Sequence, residues 1–289
     1  MNLARQTKLL FLSFLALLQA VFANAESAEK IVSLAPSITE SLYQLQKDKA
    51  LVGVTSYCNY PEEAKTKEVI GTLINPNIEK IYSLSPDLVL TIKGSNRPQT
   101  IAKLKHLGLR VVVFEECDSF SDIRKNFIRL GRIVGEPEKA KKIIQNVKTK
   151  KDSIAKKVKG LHPVSTFLEI NARPLVSANN KAFVSEFIKY GGGVNIFAYA
   201  PVKYPRISRE EVLRKNPEAI ILVTMGDVTE KEKQYWQKFT DLKAVKTDRI
   251  YIINADKFCR PTPLTFLNGL QKVAKLLHPE AFKKKRDNE

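Results

Sequence analysis

Short β-branched runs alternate with segments whose apolar residues recur at helical spacing along most of the chain. Ile31-Val32-Ser33-Leu34, Leu51 to Thr55, Leu88 to Ile92 and Arg110 to Phe114 are too short and too β-branched for helices and are predicted as strands. Helical patterns follow Ser37, Asn77, Arg97 and Ser121. A second series begins near Val164, with predicted strands over Thr166 to Ile170, Ala219 to Thr224 and Arg249 to Ile253. Strands that alternate with helices predict an α/β fold, with mainly parallel sheets covered by helices.

Between the two series lies one long helical pattern, residues 137–160. Pro137 suits its first turn, and Gly160 its end. Ala140, Ile143, Val147, Ile154 and Val158 recur on one face, while nine lysines between Pro137 and Lys159 occupy much of the rest. A single helix joining two α/β units would act as a stiff spacer and limit how far they swing apart. An ordinary surface helix within one domain is the other possibility. The spacer organisation divides the chain into an N-terminal unit (26–136), the helix, a C-terminal unit (161–282) and a basic tail (283–289).

The two series resemble each other locally. Asn77-Ile78-Glu79-Lys80-Ile81 leads to Pro86-Asp87 and the strand Leu88-Val89-Leu90. Ser208-Arg209-Glu210-Glu211-Val212 leads to Pro217-Glu218 and the strand Ile220-Ile221-Leu222. Asn77 and Ser208 are N-cap candidates, which puts Glu79 and Glu210 in first turns, where the helix dipole favours a carboxylate. In the second unit Glu211 is spaced to close a capping box on Ser208, leaving Glu210 to point outward. Two outward carboxylates, one per unit, would form paired docking points for a partner with arginine pockets.

The first residues bear on destination. Arg5 and Lys8 precede the apolar run Leu9 to Phe22, and Ala23-Asn24-Ala25 has the small–x–small form of a signal-peptidase site. The run is shorter than the roughly 20 residues a bilayer needs, so a cleaved signal peptide over 1–25 is expected rather than a membrane anchor. No cysteine lies near the cleavage point, so no lipid anchor is expected. The formal charge is +18; the first 25 residues hold two of those positives and no acid, which leaves +16. The lysines are not interleaved with aromatics, so a solvated basic surface is expected and no nucleic-acid partner. Three cysteines, Cys58, Cys117 and Cys259, allow one disulfide in an oxidising compartment.

Candidate chemistry lies on loops after strands. Tyr57-Cys58-Asn59-Tyr60-Pro61 follows one strand, Tyr204-Pro205 precedes the capped helix of the second unit, and Asp256-Lys257-Phe258-Cys259-Arg260-Pro261 follows the last strand. Open parallel sheets bind ligands outside the carboxyl ends of their strands. Tyr, Phe, Asp and Arg in such loops suit a large, flat, partly polar ligand. His106, His162 and His278 fall at predicted helix or loop ends, and no glycine-rich phosphate loop, nucleophile elbow or metal-spaced histidine pair occurs. Gly191-Gly192-Gly193 is expected to stop a helix. No enzyme activity, resident cofactor or metal site is expected.

Taken together, Ser33-Leu34-Ala35-Pro36-Ser37-x-Thr39-Glu40, Val52-Gly53-Val54-x-x-Tyr57-x-x-Tyr60-Pro61, Asn77-Ile78-Glu79-Lys80-Ile81, Pro86-Asp87-Leu88-Val89 and Ile207-Ser208-Arg209-Glu210 resemble the substrate-binding proteins of ABC importers for cobalamin and related iron chelates. The resemblance runs from about Ile31 to Pro279. It implies two Rossmann-like lobes bridged by a long helix, with the ligand in the cleft between them. It also implies a monomeric periplasmic carrier whose Glu79 and Glu210 dock on arginines of the permease of a permease–ATPase complex. The implied ligand contacts are Tyr57 from the first lobe and Tyr204, Asp256 and Arg260 from the second, with Phe258 beside them. Leu73 and Tyr204 stand where the cobalamin binder has tryptophans, which reduces the aromatic contact area. The ligand implied is cobalamin or another corrinoid, with a ferric siderophore or haem as the alternative. Cys58 and Cys259 sit on the two cleft loops, where a disulfide would staple the lobes.

Overall fold

In the computed structural model, residues 28–224 and 230–283 are described. The expected signal peptide and the tail beyond Lys283 lie outside them. The first half contains strands β1 (Ile31–Ser33), β2 (Leu51–Val54), β3 (Leu88–Ile92) and β4 (Val111–Phe114). Its helices are α1 (Pro36–Gln44), α2 (Ile78–Ser83), α3 (Pro98–His106) and α4 (Phe120–Ile133), followed by the long α5 (Pro137–Val158). The second half contains β5 (Val164–Glu169), a hairpin of β6 (Asn171–Ala172) and β7 (Leu175–Val176), and β8 (Gly193–Asn195). Then come β9 (Ala219–Thr224) and β10 (Ile250–Asn254), with helices α6 (Ser185–Tyr190), α7 (Arg209–Lys215), α8 (Glu230–Gln237), α9 (Lys243–Lys246) and α10 (Pro263–Leu277).

Two parallel four-stranded sheets result, ordered β2-β1-β3-β4 and β10-β9-β5-β8. Counted within each half, both orders read 2-1-3-4, so the two lobes share one topology. The middles of their strands β3 and β9 are apolar because helices cover both faces: Leu88, Val89 and Leu90, and Ile220, Ile221 and Leu222, are fully buried. β8 had no signal in the sequence, since Gly193-Val194-Asn195 is neither long nor evenly apolar.

The local likeness seen in the sequence has structural counterparts in both lobes. Asn77 Oδ1 accepts the Lys80 N–H at 2.9 Å, and Ser208 Oγ accepts the Glu211 N–H at 3.2 Å. Each helix then gives way to a left-handed residue, Ser85 (φ 46°) or Asn216 (φ 44°), ahead of its proline. Beyond the proline, each acid fastens the first strand of its own lobe. Asp87 Oδ2 accepts the N–H groups of Glu29 and Lys30 at 2.9 and 2.8 Å. Glu218 Oε2 accepts the N–H and hydroxyl of Ser165 at 2.8 and 2.9 Å.

Helices α4 and α5 tie the lobes together. Ala140 and Ile144 of α5 pack in the first core, while Val147 and Ile154 pack in the second. Ile144, not Ile143, takes the buried side at the first core. Conversely, Phe120 and Ile123 of α4 belong to the second core, and Phe127 and Leu130 to the first. The Phe120 ring meets Phe266 of α10 at 4.8 Å between centroids. Helix α4 starts two residues earlier than the polar spacing predicts. Ser119, not Ser121, is its N-cap and accepts the Asp122 N–H at 3.3 Å.

The expected helix stop at the glycine triplet is present: α6 ends at Gly191. Gly192 (φ 85°) turns the chain into β8 where a Cβ would lie 2.5 Å from His278 Nε2. No helix among the described residues is long and apolar enough to cross a membrane.

Candidate functional site

A cleft of ≈ 740 Å³ is lined from both lobes. The contributors lie at or beyond the carboxyl ends of strands, Ile92 being the last residue of β3. Ala35, Pro36 and Ser37 come after β1, Tyr57 after β2, Ser95 after β3, and Glu116 and Cys117 after β4. Phe183 comes after β7, Lys203 and Tyr204 after β8, and Asp256, Cys259, Arg260 and Pro261 after β10. Parallel strands in both lobes therefore deliver their loops to one crevice, at the edge where this fold places ligands.

Local geometry fixes which side chains face it. The Cys58 N–H donates to the Thr55 carbonyl at 2.9 Å, and the Thr55 hydroxyl meets Cys58 Sγ at 3.2 Å. This turn buries Cys58 in the first core and leaves its neighbour Tyr57 59% exposed at the cleft. After β10, a 3₁₀ turn over Ala255–Lys257 presents Asp256 and Arg260 together. Arg260 Nη2 donates to Asp256 Oδ1 at 2.8 Å and to Asn59 Oδ1 of the first lobe, while its guanidinium stands 5.8 Å from the centre of the Tyr60 ring. Arg260 is 7% exposed, and its Nη1 has no hydrogen-bond partner among the described residues. On the other lip, Lys203 pairs with Asp118 and lies 3.6 Å from Glu116. The cleft thus carries tyrosines, two cations and two carboxylates, Glu116 and Asp256, with Asp118 beside it as a partner of Lys203.

Three sequence expectations are corrected. Phe258 does not face the cleft. Its ring is fully buried and tilted against Phe187, centroids 4.5 Å apart, because the turn that presents Asp256 and Arg260 directs it inward. Leu73 is half-buried and does not line the cleft; only its carbonyl contributes, by accepting from Asn96 Nδ2 beside Ser95. The Cys58–Cys259 disulfide is not formed. All three cysteines are free thiols, and the inward turn of Cys58 separates it from the cleft that Cys259 lines. Cys117 instead shares that cleft. Burial pushes the Cys117 thiol up to about 11 and the Cys259 thiol up to about 12, so both stay protonated at neutral pH.

Glu116, Lys203 and the junction below the cleft were missed. There the buried Glu40 Oε1 accepts the hydroxyls of Thr262 and Thr265 at 2.6 Å each, and Gln44 Nε2 donates to Thr262 Oγ1 at 2.9 Å. Burial raises the Glu40 pKa against the lowering effect of those hydroxyls and of Arg260. Its position in the Ser33-to-Glu40 motif was a signal, but its partners lie more than 200 residues away. Glu79 and Glu210 are exposed on α2 and α7, and neither makes a salt bridge among the described residues. Ser208 caps the Glu211 N–H as expected, and Glu210 is exposed beside it. A backbone N–H and the Ser208 hydroxyl hold the Glu210 pKa below the usual carboxylate range. No group of three or more His, Cys, Asp or Glu among the described residues is arranged to hold a metal ion.

With this geometry in place, likeness to known proteins is informative. Residues 31–257 match the periplasmic binding protein family. The vitamin B12-binding protein of Vibrio cholerae is 31% identical over 270 residues, covering 93% of this chain and 96% of that protein. Its counterpart in Yersinia pestis is 29% identical over 273 residues, covering 93% and 91%. The crystal structure of the periplasmic vitamin B12 binding protein BtuF of Vibrio cholerae matches with a TM-score of 0.74 at 30% identity, over 89% of this chain and 99% of that one. The periplasmic heme-binding protein RhuT of Roseiflexus shares the fold, with a TM-score of 0.77 at 22% identity over 88% and 99%. Two lobes of one topology around a cleft, together with these matches, show that the chain belongs to the periplasmic binding protein family.

Proposed function

We propose that this protein is the periplasmic substrate-binding component of an ABC importer, capturing cobalamin or a related corrinoid between its lobes and delivering it to the permease and its ATPase. The observation that carries this is the cleft, in which Tyr57 meets Tyr204, Asp256 and Arg260 across two separate sheets. Tyrosine faces suit a flat macrocycle, and the Asp256–Arg260 pair offers an acceptor and a donor for its polar rim. The names of the relatives support the same ligand class. Export through a cleaved 1–25 segment and action as a monomer belong to this proposal.

Isothermal titration with cyanocobalamin, haem and ferric siderophores tests the ligand. Nanomolar cyanocobalamin binding, about −12 kcal/mol, is expected. The Arg260→Ala variant is expected to weaken it by about 2–3 kcal/mol, because a buried charged donor is removed. Binding of haem or a siderophore with no heat from any corrinoid would transfer the carrier role to an anionic chelate, for which Lys203 and Arg260 supply the cations.

For docking, Glu79 and Glu210 project from equivalent first turns of the two lobes. Reversing both charges is expected to abolish association with the permease while leaving corrinoid affinity unchanged. Loss of corrinoid affinity instead would assign these carboxylates to the ligand.

A further inference from the structure

Helix α5 buries one face in the two cores and exposes lysines over much of the remainder, interspersed with neutral polar residues. Lys148, Lys150, Lys156, Lys157 and Lys159 are all exposed on or just beyond it. The helix carries Glu138 and Asp152 as its only acids. Each already meets a lysine, Lys141 at 2.6 Å and Lys151 at 2.8 Å. No carboxylate pairs with those five exposed lysines among the described residues. Near the C-terminal end of α5, Lys157 stands 5.3 Å from the centre of the Phe282 ring. The chain therefore returns to α5 just before Lys283. No residue of α5 lines the cleft.

A concentration of like charge this high repels itself, and no carboxylate among the described residues offsets it by pairing. We propose that this lysine face is an electrostatic docking surface for a bilayer rich in anionic phospholipid, which holds the protein in the plane of its membrane partner. Three observations select that occupant. The helix has no arginine and no aromatic residue, so it offers neither the bidentate forks nor the stacking faces with which nucleic acids are held. Its apolar residues are buried in the cores or, like Ile143, packed partly buried against them, so no exposed anchor remains for a protein hot spot, and lysine itself is depleted at such interfaces. Spread point charges on a rigid rod match a laterally mobile field of phosphates, which attracts polybasic segments without insertion.

The test is sedimentation of the full chain with phosphatidylcholine vesicles, with and without phosphatidylglycerol, across a salt titration. The comparison protein is Lys148→Gln/Lys150→Gln/Lys156→Gln/Lys159→Gln, since glutamine matches lysine in helix propensity. Both carry the same N-terminus, so any contribution of the apolar Leu9–Phe22 run cancels. The wild type is expected to bind only the anionic vesicles and to leave them at high salt, with the variant weakened at least about tenfold. Salt-insensitive binding, equal binding to both vesicle types, or undiminished binding by a variant with wild-type circular dichroism would overturn the proposal. Preference for duplex DNA over the anionic vesicles would overturn it as well. If the variant does not fold, the wild-type salt titration alone decides.

Discussion

Glu169 is wholly buried at the end of β5, where its Oε2 accepts the Trp236 Nε1–H at 2.7 Å. Burial pushes its pKa from an ordinary 4.5 to about 8. The Trp236 hydrogen bond and Arg209 oppose that rise, and Glu232 adds to it. The folded protein therefore keeps the proton while the unfolded chain has already lost it. The stability this supplies is complete below pH 4.5 and is lost as the pH climbs to about 8, at about 1.4 kcal/mol per unit. The Glu169→Gln protein should match the wild type near pH 5 and be the more stable of the two near pH 8, as urea midpoints at both values would show. Parallel loss in the two proteins would mean that another group titrates. Nothing around Glu169 in the sequence announces this environment, because Trp236 lies 67 residues away. Tyr57 and Phe258 make the complementary point. Residue type suggested a ligand contact for both, yet the turn on which each sits sent one to the cleft and the other to the core.

At the scale of elements, the Pro86-Asp87 and Pro217-Glu218 corners are equivalent in sequence and in bonding, and they should fail alike. Each acid accepts the backbone N–H that opens its lobe's first strand. Asp87→Ala and Glu218→Ala should each cost about 1–3 kcal/mol in chemical denaturation. A variant within error of the wild type would reduce its corner to chance resemblance. The strands and helices expected in the first lobe are all present, because each combined a consistent hydrophobic period with a polar or proline boundary. Recognition was poorer in the second lobe. There β8 spans three residues and the β6–β7 hairpin two per strand, lengths at which no period can be read. The two-residue error at the start of α4 arose because Ser119 and Ser121 are equally good caps in isolation, and only the tertiary position of Phe120 selects Ser119.

For the whole molecule, the exchange of side chains between cores predicts coupled lobes. Phe120 grows from the first lobe yet packs in the second core against Phe266. Its truncation to alanine should cost about 3–5 kcal/mol. If coupling runs through this contact, the variant should also broaden a single urea transition into two; a single sharp transition at lower midpoint would place the coupling in α5 and the Glu40–Thr262–Thr265 junction. By sharing side chains between the cores, these contacts are expected to resist wide hinge opening.

The sequence by itself determined the α/β class, the two series, the long helix between them, the family, and the loops on which Tyr57, Tyr204, Asp256 and Arg260 lie, because each depends on local period, caps or contiguous motifs. Tertiary structure alone decided the identical strand order of the lobes and the inward turns of Cys58 and Phe258. It alone also placed Glu116 and Lys203 at the cleft and supplied partners for Glu40. These depend on which distant segments meet, and burial and hydrogen bonding between such segments leave no periodic trace along the chain.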